Sequence, residues 1–337
     1  MVFVLLGVTS FDGNAGWLNG PPPSPASLQG KVVLVDFWEY TCLNCLRTLP
    51  YLKEWYGRYR DDGFTIVGVH SPEFAFSGER ANVEAAVRRL GVTWPVVLDD
   101  DLAIWKRYGN QAWPGEYLFD RNGTLVEHVT GEGRYQETEA KIQAVLREGN
   151  PQLRFPPVMA LLPQDSYDKP GAVCYLKTPE VLVEAQPIAE SASFRDASGA
   201  RSFTDPDKHD DGRVYLQGFW RVTQQGVVSA GGSGYAALRY HAIAVETVLR
   251  PENGETIRVT VTQDGKPVAH ADAGSDLHYD ANGNSYLNVD APRGYDVVDN
   301  AAFGTHELRL SPDKLGLGIY DFAFEACEVP AAGRNAS

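Results

Sequence analysis

The feature that most constrains this chain is a seven-residue apolar run that leads, four residues later, into two closely spaced cysteines. The run is Val32–Trp38 (VVLVDFW), and the cysteines are Cys42 and Cys45. A nearly continuous run of this length is typical of a strand that is covered on both faces. Apolar residues then recur at three- and four-residue steps as far as Tyr59, which predicts a helix that begins at the cysteines.

Strands and helices alternate along the first 150 residues. Further strands are predicted at 64–70, 94–98, 116–120 and 125–128, and further helices at 80–90, 102–108 and 138–146. The last two strands flank Asn122-Gly123, which is a strong hairpin signal. This order predicts an α/β domain over residues 1–150, with a central mixed sheet and flanking helices.

The second half of the chain has a different texture. Asn150-Pro151 and Phe155-Pro156-Pro157 break regular structure and predict a linker over residues 151–177. From 178 to 330, short runs of β-branched and aromatic residues alternate with Gly, Asp and Asn, and helix signals nearly vanish. Strands are predicted at the runs 214–222, 236–249, 256–262, 285–289, 306–310 and 319–325. Many short strands at this spacing predict an all-β sandwich or jelly roll.

The charge balance excludes some classes of partner. The 337 residues include 30 Lys and Arg against 44 Asp and Glu, for a net charge of −14. Such a chain repels phosphate backbones and anionic lipid surfaces, so we expect no nucleic-acid binding and no electrostatic membrane docking. No apolar run approaches the roughly 18–20 residues that cross a bilayer, so no transmembrane segment is predicted. The longest run, residues 2–8, has no preceding Lys or Arg and predicts no signal peptide.

The Cys-x-x-Cys pair carries the clearest chemistry. The amino end of a helix stabilises a thiolate at Cys42, and the spacing lets Cys45 close a disulfide with it. Attack by Cys42 on a substrate disulfide, followed by resolution by Cys45, is the expected reaction. The competing interpretation is a structural disulfide. A zinc site would need a second close pair of Cys or His, so we expect no metal and no cofactor beyond this disulfide.

Two further features lie close to the cysteines in the predicted fold. Asp36 interrupts the buried strand six residues before Cys42, where desolvation should raise its pKa toward neutrality. That pKa suits a proton shuttle to or from Cys45, although a satisfied polar residue at the strand end is the plainer interpretation. Trp113-Pro114 precedes the strand at 116–120. The sequence alone favours a trans bond there, because only about 5–6% of X–Pro bonds are cis.

These motifs together resemble the active-site region of thioredoxin. Residues 33–45 (VLVDFWEYTCLNC) match its strand and helix at Asp36, Trp38 and both cysteines, and residues 113–120 (WPGEYLFD) resemble its cis-proline strand. Residues 36–50 (DFWEYTCLNCLRTLP), 67–76 (VGVHSPEFAF) and 131–135 (GEGRY) resemble the soluble region of DipZ-type proteins. Those proteins join a thioredoxin-like domain to a β-rich domain that resembles a carbohydrate-binding module.

The resemblance implies a thiol–disulfide oxidoreductase. Cys42 would be the nucleophile, Cys45 the resolving thiol and Asp36 the buried acid. Leu43-Asn44 stands where thioredoxin has Gly-Pro, a pair that helps to set the reduction potential, so the direction of electron flow stays open.

The resemblance also implies where partners bind and where the protein works. Pro114 would be the cis-proline, with Trp113 pairing to the backbone of a substrate and Trp38 completing the substrate-binding residues. Protein thiols and disulfides would be the substrates, and a separate electron donor or acceptor would renew the cysteines. The implied location is extracytoplasmic, in the cell envelope, with a cytoplasmic location kept as the alternative.

The β domain leaves two questions open. Cys174 and Cys327 bracket it and are a candidate structural disulfide, or else two buried free thiols. Its aromatic residues are either core or a surface for stacking on sugar rings, which makes a glycan a candidate ligand. The alternative function is therefore a ligand- or glycan-binding adaptor with a redox-idle first domain. The candidate aromatics are Phe219, Trp220, Tyr235, Tyr240, Tyr279, Tyr286 and Tyr295.

Overall fold

The computed structural model describes residues 11–163, 165, 168–185, 199–206 and 208–329. The chain divides into two units, Met1–Asp168 and Lys169–Ser337.

In the described part of the first unit, strands and helices alternate along the chain as predicted. Its elements are β1 (Gly16–Leu18), α1 (Pro25–Leu28), β2 (Val32–Trp38), α2 (Leu43–Tyr59), β3 (Phe64–His70), α3 (Arg80–Arg89), β4 (Val96–Leu98), α4 (Ala103–Tyr108), β5 (Gly115–Phe119), β6 (Leu125–Thr130) and α5 (Tyr135–Gly149). Short 3-10 turns at Arg60–Asp62 and Ala75–Gly78 connect some of them.

The sheet of the first unit has the order β1-β4-β3-β2-β5-β6. Its centre is β2, which pairs in parallel with β3 and antiparallel with β5. All seven residues of β2 are buried, because one face of the strand packs under α2 and α5 and the other packs against α4. The predicted mixed sheet with flanking helices is therefore confirmed, and it places the start of α2 at the carboxyl end of β2.

The predicted linker, residues 151–177, divides between the two units. Leu153, Phe155 and Met159 pack against the core of the first unit. Asp165 accepts a hydrogen bond from the Tyr51 hydroxyl, and this contact ties the same stretch to α2. From Lys169 onward the chain belongs to the second unit.

The described part of the second unit is built from antiparallel strands. They are β7 (Val173–Cys174), β8 (Val181–Leu182), β9 (Arg201–Phe203), β10 (Val214–Val222), β11 (Val227–Pro251), β12 (Ile257–Gln263), β13 (Lys266–Pro267), β14 (His278–Tyr279), β15 (Ser285–Val289), β16 (Arg293–Pro312), β17 (Leu317–Glu325) and β18 (Cys327–Glu328). Short 3-10 turns occur at Val183–Ala185 and His270–Asp272. The predicted all-β class is confirmed.

The main sheet of the second unit closes on itself through its longest strand. Its order runs β14-β15-β12-β16-β11-β10-β9, with β17 also paired to β11. Ile319 of β17 pairs with Val227 at one end of β11 and with Leu249 near the other end. The bent β11 thus flanks β17 on both sides, and the sheet encloses one hydrophobic core. Four short strands, β8, β9, β13 and β14, are each paired on one side only.

The ends of the second unit are joined by a disulfide. Cys174 on β7 lies directly opposite Cys327 on β18, with their Cα atoms 4.0 Å apart, and the two sulfurs are bonded. Of the two alternatives that the sequence left open for this pair, the structure contains the disulfide.

Candidate active site

Cys42 and Cys45 lie at the junction between β2 and α2. Cys42 is the N-cap residue of α2, and its Sγ accepts a hydrogen bond from the Cys45 amide at 3.2 Å. The two residues form a disulfide with their Cα atoms 5.3 Å apart. Cys42 is partly exposed, whereas Cys45 is buried at 3% exposure. A partner can therefore approach the sulfur of Cys42, while that of Cys45 is covered.

A pair of buried carboxyl groups lies in the sheet beside this helix. Asp36 on β2 is directly opposite Glu116 on β5. Burial raises the pKa of Asp36 to about 7. Burial, together with the charge of Asp36, raises the pKa of Glu116 well above its usual range. Neither Asp36 Oδ1 nor Glu116 Oε1 has a hydrogen-bond partner among the described residues, so the site favours a proton on the pair.

Strand alternation shows which face of the sheet Asp36 occupies. Leu34 and Trp38, two residues to either side of it, pack in the core cluster that contains Cys45 and Leu49 of α2. Residues two apart on a strand share a face. Asp36 therefore lies on the face of the sheet that carries α2.

The Trp113–Pro114 peptide bond, immediately before β5, is cis. The Trp113 indole donates a hydrogen bond to the Ser71 carbonyl at 3.0 Å, and its ring lies 4.3 Å from that of Trp105, centroid to centroid. Trp38, by contrast, is 3% exposed. The substrate-binding role that the resemblance implies for Trp38 stays a prediction.

Glu39 was not among the site residues predicted from the sequence. It is fully buried in the loop between β2 and α2. Its Oε2 accepts hydrogen bonds from the Thr41 amide at 2.6 Å and the Cys42 amide at 3.0 Å, and also from the Thr41 hydroxyl. A carboxyl group thus fixes the backbone that presents Cys42.

An ion pair anchors the start of α2. The Arg47 guanidinium contacts both carboxylate oxygens of Glu132, at 2.8 and 3.3 Å, and donates to Asn44 Oδ1 at 2.5 Å. Glu132 belongs to the GEGRY motif at residues 131–135, and Asn44 lies between the two cysteines. The motif and the helix were recognised separately in the sequence, and the structure brings them together.

The aromatic residues proposed for sugar stacking have different surroundings. Trp220, Tyr240 and Tyr295 are buried in the core of the second unit. Phe219 is 44% exposed. The rings of Tyr235, Tyr279 and Tyr286 belong to partly buried residues, and the Arg258 guanidinium lies 3.7 Å from the centre of the Tyr286 ring. Glycan binding stays a prediction.

Within the described ranges, no group of three His, Cys, Asp or Glu side chains is arranged to hold a metal ion. None of the helices given above is both long and apolar enough to cross a membrane.

Two protein families match the chain in succession. The Redoxin family matches residues 18–146, and the family described as "Thioredoxin like C-terminal domain" matches residues 178–324. These matches agree with the α/β and all-β units, and the first confirms the thioredoxin-like fold that the motifs implied.

Relatives of known name match one or both regions. Protein DipZ of Mycobacterium bovis is 32% identical over 316 residues, which cover 93% of this chain and 42% of DipZ. The chain thus spans less than half the length of that relative. The thiol-disulfide oxidoreductase ResA of Geobacillus thermodenitrificans is 29% identical over 142 residues, or 42% of this chain and 79% of ResA. A crystal structure of a thiol-disulfide isomerase from Corynebacterium glutamicum covers 42% of this chain and 95% of its own, with 20% identity and a TM-score of 0.38.

Proposed function

Because the chain joins a redoxin domain to a thioredoxin-like C-terminal domain, an arrangement shared with part of DipZ, we propose that it is a thiol–disulfide oxidoreductase that acts on protein partners. The observation that carries this proposal is the asymmetry of the cysteine pair. Cys42 is partly exposed at the start of α2, and its disulfide partner Cys45 is buried one turn further on. Cys42 is the cysteine that a substrate can reach, and Cys45 is close enough to Cys42 to resolve a mixed disulfide.

The proposed exchange moves two electrons. In the reduced protein, the Cys42 thiolate attacks a substrate disulfide, forms a mixed disulfide and releases one substrate thiolate. Cys45 then loses its proton and attacks the Cys42 sulfur. The second substrate thiolate leaves, the Cys42–Cys45 disulfide forms, and the substrate is reduced. In the opposite direction, the same steps oxidise a dithiol.

Asp36 is the proposed proton acceptor for Cys45 in the resolving step. A carboxyl group with a pKa of about 7 is close to balance between its two protonation states at neutral pH, so it can both take and return a proton. Its position on the sheet face that carries α2 supports this role. Burial raises the pKa of Asp36, and the charge of Asp36 in turn helps to raise the pKa of Glu116 directly across the strand pair.

Trp113 and Pro114 are the proposed contact for the substrate backbone. The hydrogen bond from the Trp113 indole to Ser71 and the packing on Trp105 hold this segment in place. A separate protein thiol or disulfide is the proposed electron donor or acceptor, and the second unit is proposed to position a partner or ligand. The Cys174–Cys327 disulfide supports an extracytoplasmic location, because structural disulfides persist in oxidising compartments.

The proposal is tested by insulin reduction with dithiothreitol as electron donor. The intact chain should accelerate insulin precipitation, and Cys42→Ser should abolish the acceleration because it removes the attacking sulfur. The control is the double variant Cys174→Ser/Cys327→Ser, which removes the other disulfide and should keep the acceleration. A Cys42→Ser variant that still accelerates precipitation would refute the proposal.

A trapping experiment tests the order of attack. Cys45→Ala should accumulate mixed disulfides through Cys42, since nothing then resolves them. Recovery of no adducts from cell extract would count against the mechanism. Measuring the reduction potential decides the direction: about −270 mV indicates a reductant and about −120 mV an oxidant.

The alternative function, a glycan-binding adaptor, predicts different results in these experiments. It expects no thiol turnover, together with retention on a glycan array that is lost on Phe219→Ala, because Phe219 is the most exposed of the candidate aromatics.

A further inference from the structure

The carboxyl group of Glu39 is bound directly to the backbone of the proposed nucleophile. Its Oε2 accepts the Cys42 amide at 3.0 Å and the Thr41 amide at 2.6 Å, as well as the Thr41 hydroxyl. Glu39 and Thr41 are 0% and 1% exposed, so water does not compete for these hydrogen bonds. The loop that presents Cys42 is therefore organised around one acidic side chain.

No described residue supplies a neutralising cation to Glu39 at neutral pH. His70 at the end of β3 has its Nε2 3.9 Å from Glu39 Oε1, and it is fully buried. Burial lowers the pKa of His70 to about 3, so its ring is neutral near pH 7. Tyr40 stacks on that ring, and the turn Ala75–Gly78 contributes the Ser77 hydroxyl to the Glu39 carboxyl. In the part of the chain that the structure describes, the titratable residues recorded beside Glu39 are His70 of β3 and Cys42 at the start of α2.

We propose that Glu39 is a positioning residue that holds the loop before α2 and, through its charge, controls how readily the Cys42 thiol ionises. This inference rests on the proposed role of Cys42 as nucleophile. A carboxylate that is hydrogen-bonded to the amide of a cysteine disfavours the thiolate of that residue, because two negative charges repel. A protonated Glu39 removes that repulsion, and the reactivity of Cys42 then rises.

The two groups should titrate as a coupled pair. Burial raises the pKa of Glu39, and the amide hydrogen bonds to its oxygen act in the opposite direction. When two sites interact this closely, their protons leave in two macroscopic steps that belong to the pair. The pH profile of Cys42 reactivity should therefore show two inflections.

The test is the rate at which iodoacetamide alkylates Cys42 between pH 4 and 10. It is measured in the Cys45→Ser background, where Cys42 is the one unpaired cysteine because the Cys174–Cys327 disulfide stays closed. Glu39→Gln keeps an acceptor oxygen for the amides and removes the charge. The profile should become a single inflection shifted toward acid, with alkylation near pH 6 faster by about tenfold, which corresponds to one pKa unit.

The matched control is Glu54→Gln, which removes a half-exposed carboxylate from α2 at a distance from Cys42. It should leave the profile unchanged. A Glu39→Gln profile that superimposes on that of its parent, with an unchanged circular dichroism spectrum, would overturn the inference.

If the Glu39→Gln variant does not fold, a second measurement still tests the inference. In Asp36→Asn, with Glu39 intact, the two inflections should persist, since Asp36 is not their source. A single inflection there would also overturn the inference. Because alkylation reports the thiol and not turnover, the outcome is separable from insulin reduction. A shifted profile without insulin reduction would refute the proposed function and leave the Glu39–Cys42 coupling intact.

Discussion

At the scale of single residues, the site contains carboxyl groups that are buried with no cation beside them among the residues that the structure describes. Asp36, Glu39 and Glu116 are each at most 4% exposed. Desolvation favours the protonated form of a carboxyl group, so the pKa of each of these three groups is raised above its value in water. Such groups lower the stability of a fold when they ionise, and they are retained where proton transfer is needed.

Asp36→Asn should change how stability depends on pH. The pKa of Asp36 is about 7 in the folded chain and near 3.8 when unfolded. Between those values the folded state binds a proton that the unfolded state has lost. The free energy of unfolding should therefore fall as pH rises from about 4 to 7, by up to about 4 kcal/mol, and then level off.

Urea unfolding of the oxidised protein at pH 4 to 9 measures this dependence. Asp36→Asn should flatten the curve, and it should be more stable than the parent above pH 7. The exposed Asp61→Asn is the control and should leave the curve unchanged. Parallel curves for Asp36→Asn and the parent would contradict the prediction.

The sequence revealed Asp36 but neither of the other two acids. Asp36 stands out because it interrupts an apolar run. Glu116 opens a predicted strand without any such contrast, and only the register of β5 against β2 brings it opposite Asp36. Glu39 precedes the cysteines in an irregular loop, and loop geometry follows from tertiary contacts that a one-dimensional pattern does not contain.

At the scale of elements, the β2–α2 junction depends on a close approach at β3. Gly68 lies beside Asp36 in the parallel pairing of β2 and β3. A Cβ atom at this position would lie 3.0 Å from the indole nitrogen of Trp38 and 3.1 Å from that of Trp94. Both indoles are buried, so neither can move into solvent.

Gly68→Ala should therefore destabilise the first unit, by about 1–3 kcal/mol, as is typical when a packed core receives an extra methyl group. The control is Gly57→Ala on the exposed face of α2, where no atom lies within 4 Å of the added Cβ. It should stabilise the helix by about 0.5–1 kcal/mol. Urea unfolding, followed by hydrogen exchange of β3, measures both. Equal urea midpoints for Gly68→Ala and the parent would contradict the prediction and would show that the two indoles can move aside.

Element boundaries were predictable where alternation was clear and not where glycine interrupted it. The strands Val214–Val222 and Ser285–Val289 match their sequence predictions. β11 was predicted from residue 236, yet it begins at Val227, because glycines at 231, 232 and 234 obscured a segment that pairing with β10 and β17 keeps extended. β1 was not predicted, because three residues are too few to show the alternation that identifies a strand. Its pairing with β4 identifies it in the structure.

At the scale of the whole molecule, the chain is two units with separate cores. The change of texture near residue 150 indicated this division, although the units divide at Asp168. Prolines made residues 151–163 look like a linker because proline breaks regular structure. Irregular chain can still bury apolar side chains, and Leu153 and Phe155 do so against the first core.

The double variant Cys174→Ser/Cys327→Ser should weaken the second unit alone. The disulfide closes a loop with a sequence separation of 153, for which the chain-entropy model gives up to about 5 kcal/mol. Hydrogen exchange of β11 and β17 in urea should reveal earlier opening, while β2 and β3 keep the parental behaviour. Unchanged exchange in β11 and β17 would show that the bond contributes little.

The closed β-sheet of the second unit has a consequence for how this protein can meet others. In the main sheet of the second unit, the described strands that lie at an edge are β8, β9, β13 and β14, and each is two or three residues long. Edges this short offer little template for adding a foreign strand, so the unit resists amyloid-like stacking. At these four edges we therefore expect a partner to be recognised through side chains and not by β-augmentation.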